Sequence, residues 1–192
     1  DLINSKYYGQ LVVQNPETSS PGLAFLLATI AEYGEDWETW WAALRNNGVT
    51  VTSGWEEAYE GEFVAGGGDR PLVVSYASSP PAEVIYSEAP ISSPPTGVLT
   101  DTCFRQIEFA GIVKGTNNQE SAEALVDFML SERFQEDIPN SMLMFPASVN
   151  AELPQIFSEF AEIIETPYML APEFIEENRN DWTERWTEIV LR

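Results

Sequence analysis

The chain is 192 residues long and carries 31 acidic against 9 basic side chains, a formal charge of −22. With only Lys6, Lys114 and seven arginines it offers no basic footprint for nucleic acid, and 44% hydrophobic and 12% aromatic content excludes an acidic disordered segment. No histidine and one cysteine, Cys103, exclude an intrachain disulfide, a Cys/His zinc site and histidine-based catalysis.

No apolar run approaches the ~20 residues of a membrane span. From the start, Gln10-Leu11-Val12-Val13-Gln14 is a β-branched run closed by Asn15-Pro16. Ser19-Ser20-Pro21 then precedes an apolar stretch, Leu23 to Tyr33, which is an N-cap with proline in the first helical turn. Trp37, Trp40, Trp41 and Leu44 recur at helical spacing and predict a helix over 36–45, packed by its tryptophans. Val49 to Thr52 reads as a strand. Ser53-Gly54-Trp55-Glu56 fits a capping box opening a helix to about Val64. A glycine-rich loop, 65–71, leads into a buried-type strand, 72–76, and Ser78-Ser79-Pro80 starts another helix. Residues 89–97 are an irregular connection.

In the second half, Arg105 to Val113 is predicted as a strand. Ser121 to Asp137 is predicted as one amphipathic helix with Ala124, Leu125, Phe128, Met129 and Phe134 on its apolar side. Met142 to Pro146 reads as extended, and 152–165 and 172–192 as helices, the last with Trp182 and Trp186 one turn apart. Strands alternating with helices predict an α/β fold with a mixed, mainly parallel sheet flanked by helices.

Three helices therefore begin on serines just after a strand, at Ser19-Ser20, Ser53 and Ser78-Ser79. In open α/β sheets ligands sit beyond the carboxyl ends of strands, where helix amides and hydroxyls suit phosphate, carboxylate or alcohol groups. Trp55 and Tyr76 lie beside those turns and suit a flat or cationic ligand. The competing reading is plain capping and core packing. Other motifs fail: the 65–69 turn lacks the Lys-Ser/Thr of a phosphate loop, and no calcium loop is present. Glu56 and Glu60 have the residue type of a glycosidase pair, but among 31 acids a solvated helix face accounts for them.

The segment Asp1-Leu2 with Lys6-Tyr7-Tyr8-Gly9-Gln10-Leu11-Val12-Val13 resembles the one that opens the second lobe of bacterial ABC-transporter solute-binding proteins. Asn15 to Leu23, Val49 to Tyr59, Leu72 to Pro81, Ser131 to Pro139 and Met144-Phe145-Pro146 are similar, in order, to the thiamine-binding proteins of ABC importers. The resemblance implies a type II periplasmic-binding-protein fold closing on thiamine or its phosphates, and a receptor rather than an enzyme. Ser19 and Ser20 would meet the hydroxyethyl or phosphate end, Trp55 and Tyr76 would form an aromatic clamp, and Ser78 and Ser79 would lie nearby. It further implies no cofactor and no metal, an ABC permease as partner, and an extracytoplasmic location, periplasmic or lipid-anchored, with the signal sequence absent from this chain.

Two positions depart from that family. Ala82 stands where a stacking tyrosine is common, leaving that wall to Tyr86, and Leu143 stands where a tryptophan can occur. The family also has roughly a hundred residues, a normal domain's worth, ahead of the opening motif. The expectation is a complete second lobe at 1–98 and the returning part of the first lobe at 99–192. Half the clamp would then be absent, so thiamine binding by the 192 residues is expected to be weak, and 105–146 is expected to expose apolar surface that favours self-association. Receptors for ferric iron, a polyamine or another small solute share the fold and are the alternative; a carboxylate-dependent hydrolase is the alternative of another class.

Overall fold

The computed structural model describes residues 1–192, the side chain of Thr102 excepted. It divides into two compact units, one of Asp1–Tyr76, Leu99–Arg105 and Ile164–Arg192, the other of Ala77–Val98 and Gln106–Ile163. Each is taken separately.

The first unit is built on a three-stranded parallel sheet of β1 (Leu11–Gln14), β2 (Thr50–Thr52) and β3 (Leu72–Val73), in the order β2-β1-β3. Val12 and Val13 register with Thr50 and Val51, and Leu11 with Leu72. All four β1 residues are buried, as a central parallel strand requires. The crossover from β1 to β2 runs through α1 (Ser20–Tyr33) and α2 (Trp37–Asn46). Pro21, Phe25, Leu26, Leu27, Ala28 and Ile30 of α1 are all buried, so this helix is apolar on every side. It lies so close to β1 that a Cβ on Gly22 would collide with the Gln14 carbonyl, which explains glycine there. Trp37, Trp40, Trp41 and Leu44 bury the inner stripe of α2 at the spacing the sequence shows.

The final helix, α7 (Pro172–Leu191), packs on α2. Trp186 is fully buried with its ring edge-on to Trp41 at 5.4 Å, and Arg45 Nη1 donates to the Ile189 carbonyl at 2.9 Å. Such aromatic pairs add about 0.5–1.5 kcal/mol beyond their buried area. The helical segment after β2 begins at Trp55 and carries a π-helical turn at Glu57–Glu62. Its capping differs from the expected box. Ser53 donates from both its N–H (2.9 Å) and its hydroxyl (2.8 Å) to Glu57, not to Glu56.

The second unit holds α3 (Ser79–Ile85), α4 (Gln119–Met129), α5 (Glu132–Met142) and α6 (Gln155–Phe160). Its elements depart from the sequence expectations at five points. The single helix over 121–137 is two, because Ser131 takes extended backbone, accepts from Phe134 N at 3.4 Å and donates to the Phe128 carbonyl at 2.6 Å, capping a new start. Its expected apolar side is not core: Leu125 and Phe128 are exposed and α4 buries nothing. Residues 106–113 join no ladder among the described residues, since β-branched composition makes a strand only where a partner strand supplies its hydrogen bonds. Helix α5 runs on to Met142 before Leu143 turns left-handed at φ 56, so 142–146 is not a continuous extended run, and 152–165 is helical only over α6. A buried glutamine organises this region. Gln135 donates to the Met129 carbonyl at 2.7 Å and accepts from Ala147 N (2.8 Å) and Ser148 N (3.1 Å).

Candidate functional site

Because all three strands run the same way, their carboxyl ends lie along one edge, and the loops leaving them are cross-tied. Asn15 N donates to the Thr52 carbonyl at 2.9 Å and Thr18 Oγ1 to the Ser53 carbonyl at 2.6 Å, joining the loop after β1 to the loop after β2. Gln14 Nε2 donates to the Val74 carbonyl at 2.9 Å, joining β1 to the chain leaving β3. With β1 central and the next two strands on either side of it, the strand order reverses beside β1, the place where open sheets leave a crevice.

At this edge stands an aromatic cluster. The Trp55 indole donates to Ser75 Oγ at 2.8 Å, stacks on Tyr59 with ring centroids 4.7 Å apart and planes at 18°, and meets Tyr76 at 6.5 Å and 42°. Trp55 is half-buried and Tyr76 is 43% exposed, so the cluster presents ring surface rather than filling the core. Ser19 and Ser20 head α1 on the tied loop, and Ser19, the N-cap residue, makes no side-chain cap bond. The Glu57 carboxyl is held below the usual range by the Ser53 amide and hydroxyl donating to it. Glu56 and Glu60 both lie exposed, as on a solvated face.

The structure therefore gathers Trp55 and Tyr76 and ties the Ser19-Ser20 loop to the turn that carries Trp55. Ser78 and Ser79 belong to the second unit, where Ser78 is the buried N-cap residue of α3, again without a side-chain cap bond. Tyr86 is also there, exposed, its hydroxyl donating to the Asn140 carbonyl at 3.2 Å. Sequence reasoning missed Tyr59 and Ser75. The four-residue spacing of Trp55 and Tyr59 is a signal for the first; nothing local signals the second. Among the described residues no group of three or more His, Cys, Asp and Glu is arranged to hold a metal ion, and no helix is long and apolar enough to cross a membrane. A cavity elsewhere, between α1, α2 and Tyr168, is only about 20 Å³, room for no more than a water.

Comparison with known proteins agrees with this architecture. Residues 1–161 match the bacterial extracellular solute-binding protein family. The chain belongs to that family. It is 32% identical over its whole length to the thiamine-binding periplasmic protein of Escherichia coli K12 and to that of Salmonella typhimurium, and 30% identical to that of Brucella melitensis. It spans about 57% of the length of the first two. Among solved structures, a periplasmic thiamin binding protein superposes with a TM-score of 0.80 at 31% identity, covering all of this chain and 58% of that one. A Bordetella ferric binding protein superposes at 0.70 with 17% identity, which speaks for the fold alone. The fold is thus α/β, as the alternation of strands and helices predicts, and that of the periplasmic binding proteins, as the resemblance implies.

Proposed function

We propose that this chain belongs to an extracytoplasmic receptor that captures thiamine or its phosphates and delivers it to the permease of an ABC importer. The observation that carries the reading is the Trp55–Tyr76 cluster at the carboxyl edge of the parallel sheet, in a chain 31–32% identical along its whole length to proteins named for binding thiamine. Thiazolium is a permanent cation, and aromatic faces attract cations by about 0.5–2 kcal/mol depending on desolvation. The charge of −22 raises the local concentration of such a ligand in addition to keeping the protein soluble. In this reading Ser19 and Ser20 take the hydroxyethyl or phosphate end, Ser78 and Ser79 add hydroxyls, and the protein turns nothing over. Residues 1–98 are assigned to the second lobe and 99–192 to the returning part of the first. The receptor is periplasmic or held at the cell surface by a lipid. A ferric or polyamine receptor is the weaker reading, since the iron-binding neighbours share under 20% of residues.

The decisive experiment is native mass spectrometry of the freshly purified full-length receptor to which the chain belongs, with thiamine titration followed by tryptophan quenching. A bound mass of thiamine or a phosphate ester, and quenching without turnover, are expected. A co-purified polyamine or iron, with no response to thiamine, overturns the proposal. A second reading concerns association. Within 105–146, Ile107, Phe109, Val113, Leu125 and Leu130 are each more than half exposed. We propose that this exposed apolar surface pairs two copies of the chain; a monomer by light scattering at high concentration overturns that.

A further inference from the structure

A half-buried tryptophan at a helix start has several rotamers open to it, and a flat ligand gains most from a ring whose plane is fixed before it arrives. Trp55 is fixed from two directions. Its Nε1–H donates to Ser75 Oγ at 2.8 Å. Trp55 follows β2 and Ser75 follows β3, and these strands flank β1 on opposite sides, so this one hydrogen bond reaches across the end of the central strand. From behind, Tyr59 stacks parallel on the indole, one turn along the same helical face. Tyr59 rests in turn on Phe63 at 5.2 Å, and Phe63 is buried. The stack is thereby anchored in the core. Tyr59 occupies one face of the indole, so a stacking ligand takes the opposite one.

We propose that Ser75 and Tyr59 are the positioning residues of this site: Ser75 sets the rotation of the Trp55 ring through its hydrogen bond, and Tyr59 backs the ring's plane, presenting the open face to the cationic ring of the ligand. The inference rests on the thiamine reading above. It differs from a packing role in its consequence, because it requires ligand affinity to follow the orientation of one ring and not the stability of the fold.

The test uses the whole chain with ¹⁵N-labelled tryptophan, the Trp55 Nε1–H signal being assigned by its loss in Trp55→Phe. Ser75→Ala is expected to move that signal, speed its exchange with water and weaken thiamine binding about fivefold or more, the scale of a cation–aromatic contact, with an unchanged melting temperature. Ser75→Thr keeps an oxygen at the same position and is expected to restore both. Tyr59→Leu removes the stacked ring and should weaken binding while the Trp55–Ser75 hydrogen bond persists. A Trp55 signal and thiamine affinity that ignore Ser75→Ala overturn the proposal, as does lost affinity that Ser75→Thr fails to restore. If no indole signal of the wild type responds to thiamine, the functional reading falls instead, and the ligand-free Trp55 signal still decides the positioning.

Discussion

Replacing Thr29 by valine isolates one buried hydrogen bond in the core that supports β1. Thr29 is 4% exposed and Trp41 1%. The Trp41 indole donates to Thr29 Oγ1 at 2.8 Å, and that hydroxyl donates to the Leu26 carbonyl at 2.7 Å. Valine keeps the β-branch and nearly the volume, so no cavity is introduced and the change is the loss of the hydroxyl. The Leu26 carbonyl lies inside α1 and retains the helical hydrogen bond expected there. What remains is an indole N–H sealed from water without an acceptor, at about 1–3 kcal/mol. For a chain of this size each kcal/mol lowers Tm by about 2–4 °C, so a fall of roughly 2–12 °C is expected. Urea denaturation followed by far-ultraviolet circular dichroism measures the loss. Trp41→Phe removes the donor but leaves unfilled space, so the cycle of both singles and the double separates the pair energy from the cavity. Thr29→Val within about 0.5 kcal/mol of wild type, or strict additivity in the cycle, would refute the reasoning.

Other expectations follow from the same contacts. Gly22→Ala drives a methyl into the Gln14 carbonyl and should cost about 1–3 kcal/mol in chemical denaturation; wild-type stability would mean that α1 can back away from β1. The Glu57 carboxyl should titrate below the ordinary value of about 4.3 in a ¹³C nuclear magnetic resonance titration, and Ser53→Ala should raise its midpoint by removing one of two donors. Since its folded pKa is depressed, this contact contributes stability above the unfolded value and loses it as pH falls through the lowered folded one. Equal midpoints in both proteins would refute that assignment. Burial and the neighbouring Asp101 raise the Cys103 thiol, so it should react with a disulfide reagent at neutral pH more slowly than a small thiol; equal rates would refute it.

Where the sequence succeeded, one face of one element decided the outcome. The tryptophans of α2 and α7 announce their buried stripes by spacing alone, and Ser-Pro pairs mark the heads of α1 and α3 within a residue. It failed where the outcome depends on a partner. Residues 106–113 have strand composition and join no ladder among the described residues, and Leu125 and Phe128 have helical periodicity yet stay exposed, Phe128 meeting the Phe134 ring edge-on. The break at Ser131 interrupts an apolar rhythm that reads as one continuous helix over 121–137. At the site, Trp55 and Tyr76 were visible as aromatics beside strand ends. Ser75 was not, because its role comes from a hydrogen bond spanning twenty residues of chain.

By itself, then, the sequence determined the acidic field, the absence of histidine and disulfide chemistry, the alternation of strands and helices, and the residue types at the strand ends. These are properties of composition and of contacts within a few residues. The tertiary structure decided the order β2-β1-β3, and through it the meeting of the loops beyond β1, the tie between Gln14 and Val74, and the anchoring of Trp55 by Ser75 and Tyr59. Strand order has no local signature, because it is settled by which apolar faces the crossovers can bury together, and only after that choice do distant loops meet at one edge.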